Sequence, residues 1–186
     1  MIDMDFELVE DGATHGYGGK GELLGDSLAR WLFIGIGFTS AAVYAVLALV
    51  AFSQRLRRSA LSWCALYCAV AGVHLVSLVA GEFVHGPQHA ELVIRIALSL
   101  GAIAMFVFFF FSVQVTQLIS GRRTWLALGG ALGLTVVGLI WGGDLVMAGV
   151  TESEFARFSP VTGPLTPMYM SYVAFNWIFA LVLFVK

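Results

Sequence analysis

The chain has 186 residues, 59% of them hydrophobic and 12% charged, with a formal net charge of −2 and a mean hydropathy of +0.88. A soluble domain carries roughly 25% charged residues, so this composition cannot clothe a water-facing surface and must present apolar surface to lipid. Without a basic excess, nucleic acid is excluded as a partner.

Residues 1–29 are rich in acids and glycine. Asp3, Asp5, Glu7, Glu10, Asp11, Glu22 and Asp26 stand against Lys20 alone, and Gly12, Gly16, Gly18, Gly19 and Gly21 interrupt any helix. A signal peptide would need a basic start and an apolar core. The segment reads as a flexible extracytoplasmic tail. Residues 30–186 read as an all-α, polytopic transmembrane bundle.

Five apolar stretches follow the tail, at about residues 31–52, 60–80, 92–119, 124–150 and 168–185. Each is near the ~20 residues that cross a ~30 Å hydrocarbon core. Strands are not expected, because open sheet edges go unsatisfied in lipid. Arg55, Arg57, Arg58, Arg122, Arg123 and Lys186 follow the first, third and fifth stretches, whereas all 12 acids fall on the other side. Cytoplasmic loops concentrate Lys and Arg, so the N-terminus is expected outside and the C-terminus inside. The membrane implied is a plasma membrane, crossed several times.

The first stretch has Gly35, Gly37 and Ala41, and the fourth has Gly129, Gly133, Gly138 and Gly142. Small residues at these spacings let helix backbones approach, within one bundle or across a homodimer seam. Cys64 and Cys68 lie in one apolar run and read as small buried hydrophobes.

Polar groups inside the spans mark the chemistry a bilayer tolerates only for a reason. Counting from the presumed boundaries at 1.5 Å per residue places His74, Asn176, Thr39, Ser40 and Ser99 at one level, roughly 10–13 Å below the outer surface. One reading is a pocket for a small ligand, open to the outer face. The other is interhelical hydrogen bonding that holds the helices together. Arg95 is expected to snorkel to the headgroups or pair with Glu91, and Asp144 to lie solvated near the outer interface. His85 and His89 flank Gly86-Pro87 in an outer loop, where a weak metal site or a titrating pair competes with a simply solvated loop. Trp31, Trp63, Trp125 and Tyr169 fall near stretch ends, as an interfacial belt would.

No phosphate-binding loop, zinc-protease or nucleophile-elbow motif is present, no polar segment is long enough for a catalytic domain, and no cofactor or metal is indicated. A b-type haem held between helices wants two buried axial histidines, and His74 alone is buried. A retinal site needs a lysine in a late span, which these spans lack. The chain is therefore not expected to be an enzyme by itself.

The segment Phe158-Ser159-Pro160-Val161-Thr162-Gly163-Pro164-Leu165-Thr166-Pro167-Met168-Tyr169 precedes the last span, and Ser120-Gly121-Arg122-Arg123-Thr124 follows the third. Over residues 30–186 this arrangement resembles the N-terminal membrane region of bacterial histidine kinases that carry a seven-helix sensor module. The resemblance implies a bacterial inner-membrane input domain that passes a signal to a cytoplasmic output. It also implies that helices six and seven and the output domain are missing after Lys186, as in a fragment or truncated product. A reading from another class is a membrane anchor or accessory subunit of a redox or transport complex.

Overall fold

The computed structural model describes residues 19–54, 59–116, 122–152 and 157–185. Five helices and one hairpin run in the order α1 (Gly19–Gln54), α2 (Ser59–Ala80), α3 (Pro87–Thr116), α4 (Arg122–Trp141), β1 (Met147–Glu152), β2 (Phe158–Thr162) and α5 (Thr166–Val185). The protein is an all-α helical bundle. Four helices contain segments long and apolar enough to cross a membrane: Leu28–Gln54, Ala60–Ala80, Pro87–Thr116 and Thr166–Val185. The apolar part of α4, Ala127–Trp141, is shorter, although the whole helix has 20 residues and rises ~30 Å.

Side-chain contacts give the helix directions. Arg30 of α1 meets Glu82 just past α2, and Tyr44 meets Tyr67 further down, so α1 and α2 are antiparallel. His74 reaches the Ala97 carbonyl and Trp63 stacks on Phe110, so α3 runs back against α2. Gly129 and Gly133 lie against Phe106 while Arg95 reaches Ile140, so α4 is antiparallel to α3. Tyr169 lies by Leu98 and Tyr172 by Ala102, with Phe179 by Phe109. Helix α5 is therefore parallel to α3. The alternation gathers Gln54, Ser59, Thr116, Arg122 and Val185 at one end of the bundle and the hairpin at the other.

The centre of the bundle is α3, and its Phe106 to Phe111 stretch explains why. Successive residues turn by ~100° around a helix, so consecutive rings address different neighbours. Phe110 stacks on Trp63 of α2, Phe109 and Phe111 meet Phe179 and Phe184 of α5, and Phe108 lies between Tyr67 and Trp177. Phe106 fills the space left by Gly129, Gly130 and Gly133 on α4. In hydrocarbon no water drives such packing, so dispersion between matched surfaces carries it. The Gly129/Gly133 pair thus packs inside the bundle, whereas Gly138 has open space at its Cβ position. Gly37 admits Val79, whose side chain occupies the place of a Cβ there; Gly35 faces nothing.

Several boundaries differ from the sequence expectation. Helix α1 begins at Gly19, inside the segment assigned to the acidic tail; glycine costs about 1 kcal/mol in a helix, but propagation from a formed span adds a hydrogen bond for each residue fixed. Residues 1–18 of that tail lie outside the described residues. Helix α3 starts at Pro87, where a proline forfeits no hydrogen bond, so His89 belongs to its first turn and His85 to the loop before it. Both are exposed.

The largest correction concerns the fourth span, expected to reach residue 150. It stops at Trp141, with Gly143 in the left-handed region at φ 102°, a conformation that ends helices at little cost for glycine. Strands, not expected at all, follow it. β1 and β2 pair antiparallel, Val150 opposite Pro160 and Glu152 opposite Phe158, with an irregularity between Met147 and Gly149. The hairpin lies at the bundle's end beyond the apolar spans, where water satisfies its free edges, so the rule against strands in hydrocarbon does not reach it.

Gly163 closes the seam between hairpin and α5. Its N–H donates to the Val146 carbonyl at 3.0 Å, and Leu165 N–H donates to the Leu145 carbonyl at 2.7 Å. A Cβ at this position would overlap the carbonyl groups of Asp144 and Leu145, which are backbone and cannot swing aside. Gly163→Ala is expected to destabilise the fold by roughly 1–3 kcal/mol, read as a lower midpoint in thermal unfolding of the detergent-solubilised protein.

Candidate functional site

Three polar clusters lie in the half of the bundle nearer the hairpin; the sequence pointed to Arg95, Glu91 and Asp144 of the first and to His74 of the third, but to none of the second. The first is built on Arg95, which does not snorkel outward. It is buried, and its guanidinium turns toward the end of α4. Nη1 donates to the carbonyls of Ile140 and Gly143, the latter at 2.9 Å, and Nη2 to that of Met147 at 3.2 Å. Nε and Nη2 also hold Glu91 at 2.9 and 2.8 Å. A helix end leaves carbonyls unsatisfied and carries partial negative charge. Arg95 answers both needs, which is why α4 can stop where it does. Asp144 lies 3.7 Å away and is largely exposed.

The second cluster is centred on Glu82, which is 3% exposed. Arg30 donates from Nε to Glu82 Oε2 at 2.7 Å and from Nη2 to the Glu82 carbonyl at 2.7 Å. The Arg157 N–H donates to both carboxylate oxygens, at 3.3 and 3.2 Å. One carboxylate therefore joins α1, the end of α2 and the hairpin.

The third surrounds a cavity of about 210 Å³ between α1, α2, α3 and α5, lined by Tyr44, Tyr67, His74, Gly101, Tyr169 and Trp177 among others. His74 Nδ1 is 2.7 Å from the Ala97 carbonyl. A carbonyl only accepts, so Nδ1 carries the proton and the neutral ring presents Nε2 as an acceptor. Gly101 makes room for this ring: a Cβ there would stand 3.1 Å from His74 Cε1 and 3.2 Å from the Tyr169 hydroxyl. Tyr169 and Tyr172 donate to the Leu98 and Ala102 carbonyls of α3 at 3.4 and 3.1 Å, pinning α5 beside the cavity.

Of the five residues expected to share one polar layer, only His74 lines this cavity. The Ser99 hydroxyl donates to the Arg95 carbonyl at 2.9 Å and accepts from Trp141 Nε1 at 2.9 Å, so it faces α4. Asn176 is buried and donates to the Tyr172 carbonyl of its own helix at 2.7 Å. Thr39 is exposed and returns its hydroxyl to the Gly35 carbonyl at 2.8 Å; Ser40, half-buried, sits beside it on α1. Counting residues gives depth along a helix but not which side a group faces. Tyr44, Tyr67 and Tyr169, absent from the expected set, supply the other hydroxyls around the cavity. For Tyr44 and Tyr67 the signal was residue type, since a tyrosine well inside a span needs a partner for its hydroxyl; Tyr169, near the start of its span, read instead as part of an interfacial belt.

A larger apolar groove, about 880 Å³, runs along α1 and α2 between Ala41, Ala45, Ala65 and Ala69. Cys64 and Cys68 are free thiols, Cys68 buried. Among the described residues no group of three His, Cys, Asp or Glu is placed to hold a metal ion. No buried side-chain N or O atom among them lacks a hydrogen-bond partner, as apolar surroundings demand.

No protein-family model, curated protein or solved structure matches the chain. Length and composition make it a multi-pass membrane protein.

Proposed function

We propose that the chain is a sensory, signal-transducing input module of a bacterial inner membrane. Arg55, Arg57, Arg58, Arg122 and Arg123 would face the cytoplasm, following the rule that basic loops stay inside. A small ligand would occupy the His74 cavity and change the spacing of α2, α3 and α5. The observation that carries this reading is the position of the cavity. It opens between helices from both halves of the bundle and is lined by Tyr169, whose hydroxyl meets the Leu98 carbonyl of α3. A ligand shifts such an equilibrium only through different affinities for two arrangements, and helix displacements of ~1–2 Å are the usual size of the response.

A substitution that fills the cavity tests the coupling without knowledge of the ligand. Gly101→Leu places a side chain where a ligand would sit, between His74 and Tyr169. Spin labels at Val115 on α3 and Val185 on α5, both exposed, report the far end of the pair in a Cys64→Ala, Cys68→Ala background. The expected result is a change of about 2 Å in the inter-label distance in lipid nanodiscs. An unchanged distance in a folded Gly101→Leu protein would overturn the reading.

A further inference from the structure

The chemistry of the cavity narrows the ligand, on the footing of the sensory reading just given. We infer that the His74 cavity takes a lipid-soluble ring compound carrying a hydroxyl donor, of the phenol or quinol class, and discriminates against the corresponding quinone or ether.

Hydrogen-bond polarity is the first support. The Ala97 carbonyl holds the proton of His74 on Nδ1. The hydrogen bond seen at the ring is the one from Nδ1, and His74 lines the cavity. No acidic side chain lines the cavity to compensate an imidazolium, so the neutral ring offers Nε2 as an acceptor. Its natural complement is an O–H. At Nε2, though not at the Tyr44 and Tyr67 hydroxyls, which can donate, a quinone carbonyl or an ether oxygen would bring a lone pair against a lone pair.

Shape and route agree with this. The volume, about 210 Å³, lies below the ~300 Å³ at which pockets begin to hold drug-sized molecules, and suits one substituted ring. The walls are aromatic, from Tyr44, Tyr67 and Trp177, and a planar ring packs well against such faces. Gly101 lies midway along the 30-residue α3 and Tyr169 in the first turn of α5, so the cavity lies within the apolar spans, toward their hairpin end. Trp177, on its margin, is 45% exposed on the outside of the bundle. The ligand therefore arrives sideways from the lipid, where isoprenoid-tailed and alkyl-tailed ring compounds reside.

The test uses the full chain in nanodiscs, with a tritiated decyl-substituted benzoquinol kept reduced under anaerobic conditions and empty nanodiscs subtracting partition into lipid. Saturable binding near one per chain is expected. Competition by the matching quinone and by the quinol dimethyl ether should be roughly tenfold weaker or more, as an unmatched buried acceptor requires. His74→Leu should abolish that preference, and Gly101→Leu should abolish the saturable component. Equal competition by quinol and ether, saturable binding that survives Gly101→Leu, or no saturable binding each overturns the assignment. A decyl-substituted cyclohexanol competing as well as the quinol overturns the aromatic class while leaving the hydroxyl requirement. Should His74→Leu fail to fold, the ligand series on the unaltered chain still decides. If Gly101→Leu moves the α3–α5 labels yet the quinol does not bind, the ligand class fails and the sensory reading stands. If the quinol binds as described but the labels stay fixed, the sensory reading fails instead.

Discussion

Replacing Arg95 with leucine is expected to destabilise the bundle by roughly 3–5 kcal/mol, the range seen when one member of a buried charged network is removed. Three carbonyls, those of Ile140, Gly143 and Met147, lose their donor together. Glu91 loses its only described ion-pair partner at the same time. The Ile140 carbonyl belongs to a residue with no exposed surface, so water does not readily replace the guanidinium there. Arg95→Lys should recover part of the loss, since one ammonium keeps the charge but cannot fan its donors across three acceptors and a carboxylate. Unfolding by denaturing detergent, followed by tryptophan fluorescence, measures the difference. A loss under about 1 kcal/mol for the leucine variant would mean that water replaces the guanidinium freely.

Glu82→Leu is the second large effect, and it acts on the hairpin rather than on the whole bundle. Arg30 is partly exposed and can turn back to water, so the ion pair itself contributes modestly. The greater cost falls on the Arg157 N–H, whose described acceptors are both Glu82 oxygens. A hydrogen bond to a charged group contributes about 1.5–3 kcal/mol. Amide hydrogen exchange between Met147 and Thr162 should accelerate accordingly, by roughly ten- to a hundredfold. Glu82→Gln keeps an acceptor oxygen and should show the smaller part of this change. Exchange rates unaltered in both variants would show that the hairpin holds itself through its own ladder.

The spans were legible because lipid imposes a strong condition on sequence: long apolar runs with charge only at their ends. The central place of α3 was present in the phenylalanine run, though only the angular step between residues reveals which helix each ring meets. The stop at Trp141 also had a local signal in Gly142-Gly143-Asp144, masked by the apolar residues that follow it through Val150. From Met147 those residues form a strand instead of continuing a helix. The Glu82 cluster was hidden for another reason. Its partners Arg30 and Arg157 lie 52 and 75 positions away in the chain, and no spacing rule connects such distances. Likewise the company of His74 was not readable, since Ser99 at a similar height on α3 faces α4 instead. Polarity along one helix says little about which groups from four helices meet.

The two ends of α5 are held very differently. At the top, Thr166 Oγ1 donates to the Val146 carbonyl at 2.6 Å, and directional backbone bonds lock the preceding turn to the hairpin. Lower down, ring contacts such as Phe109–Phe179 and Phe111–Phe184 slide at little cost, having no direction to keep. The helix is thus a lever with its fulcrum at the hairpin. Over the ~30 Å of a 20-residue rod, a tilt of about 4° at that fulcrum moves the tip by about 2 Å. A tilt imposed near the hairpin would therefore show, magnified, at the Val185 end.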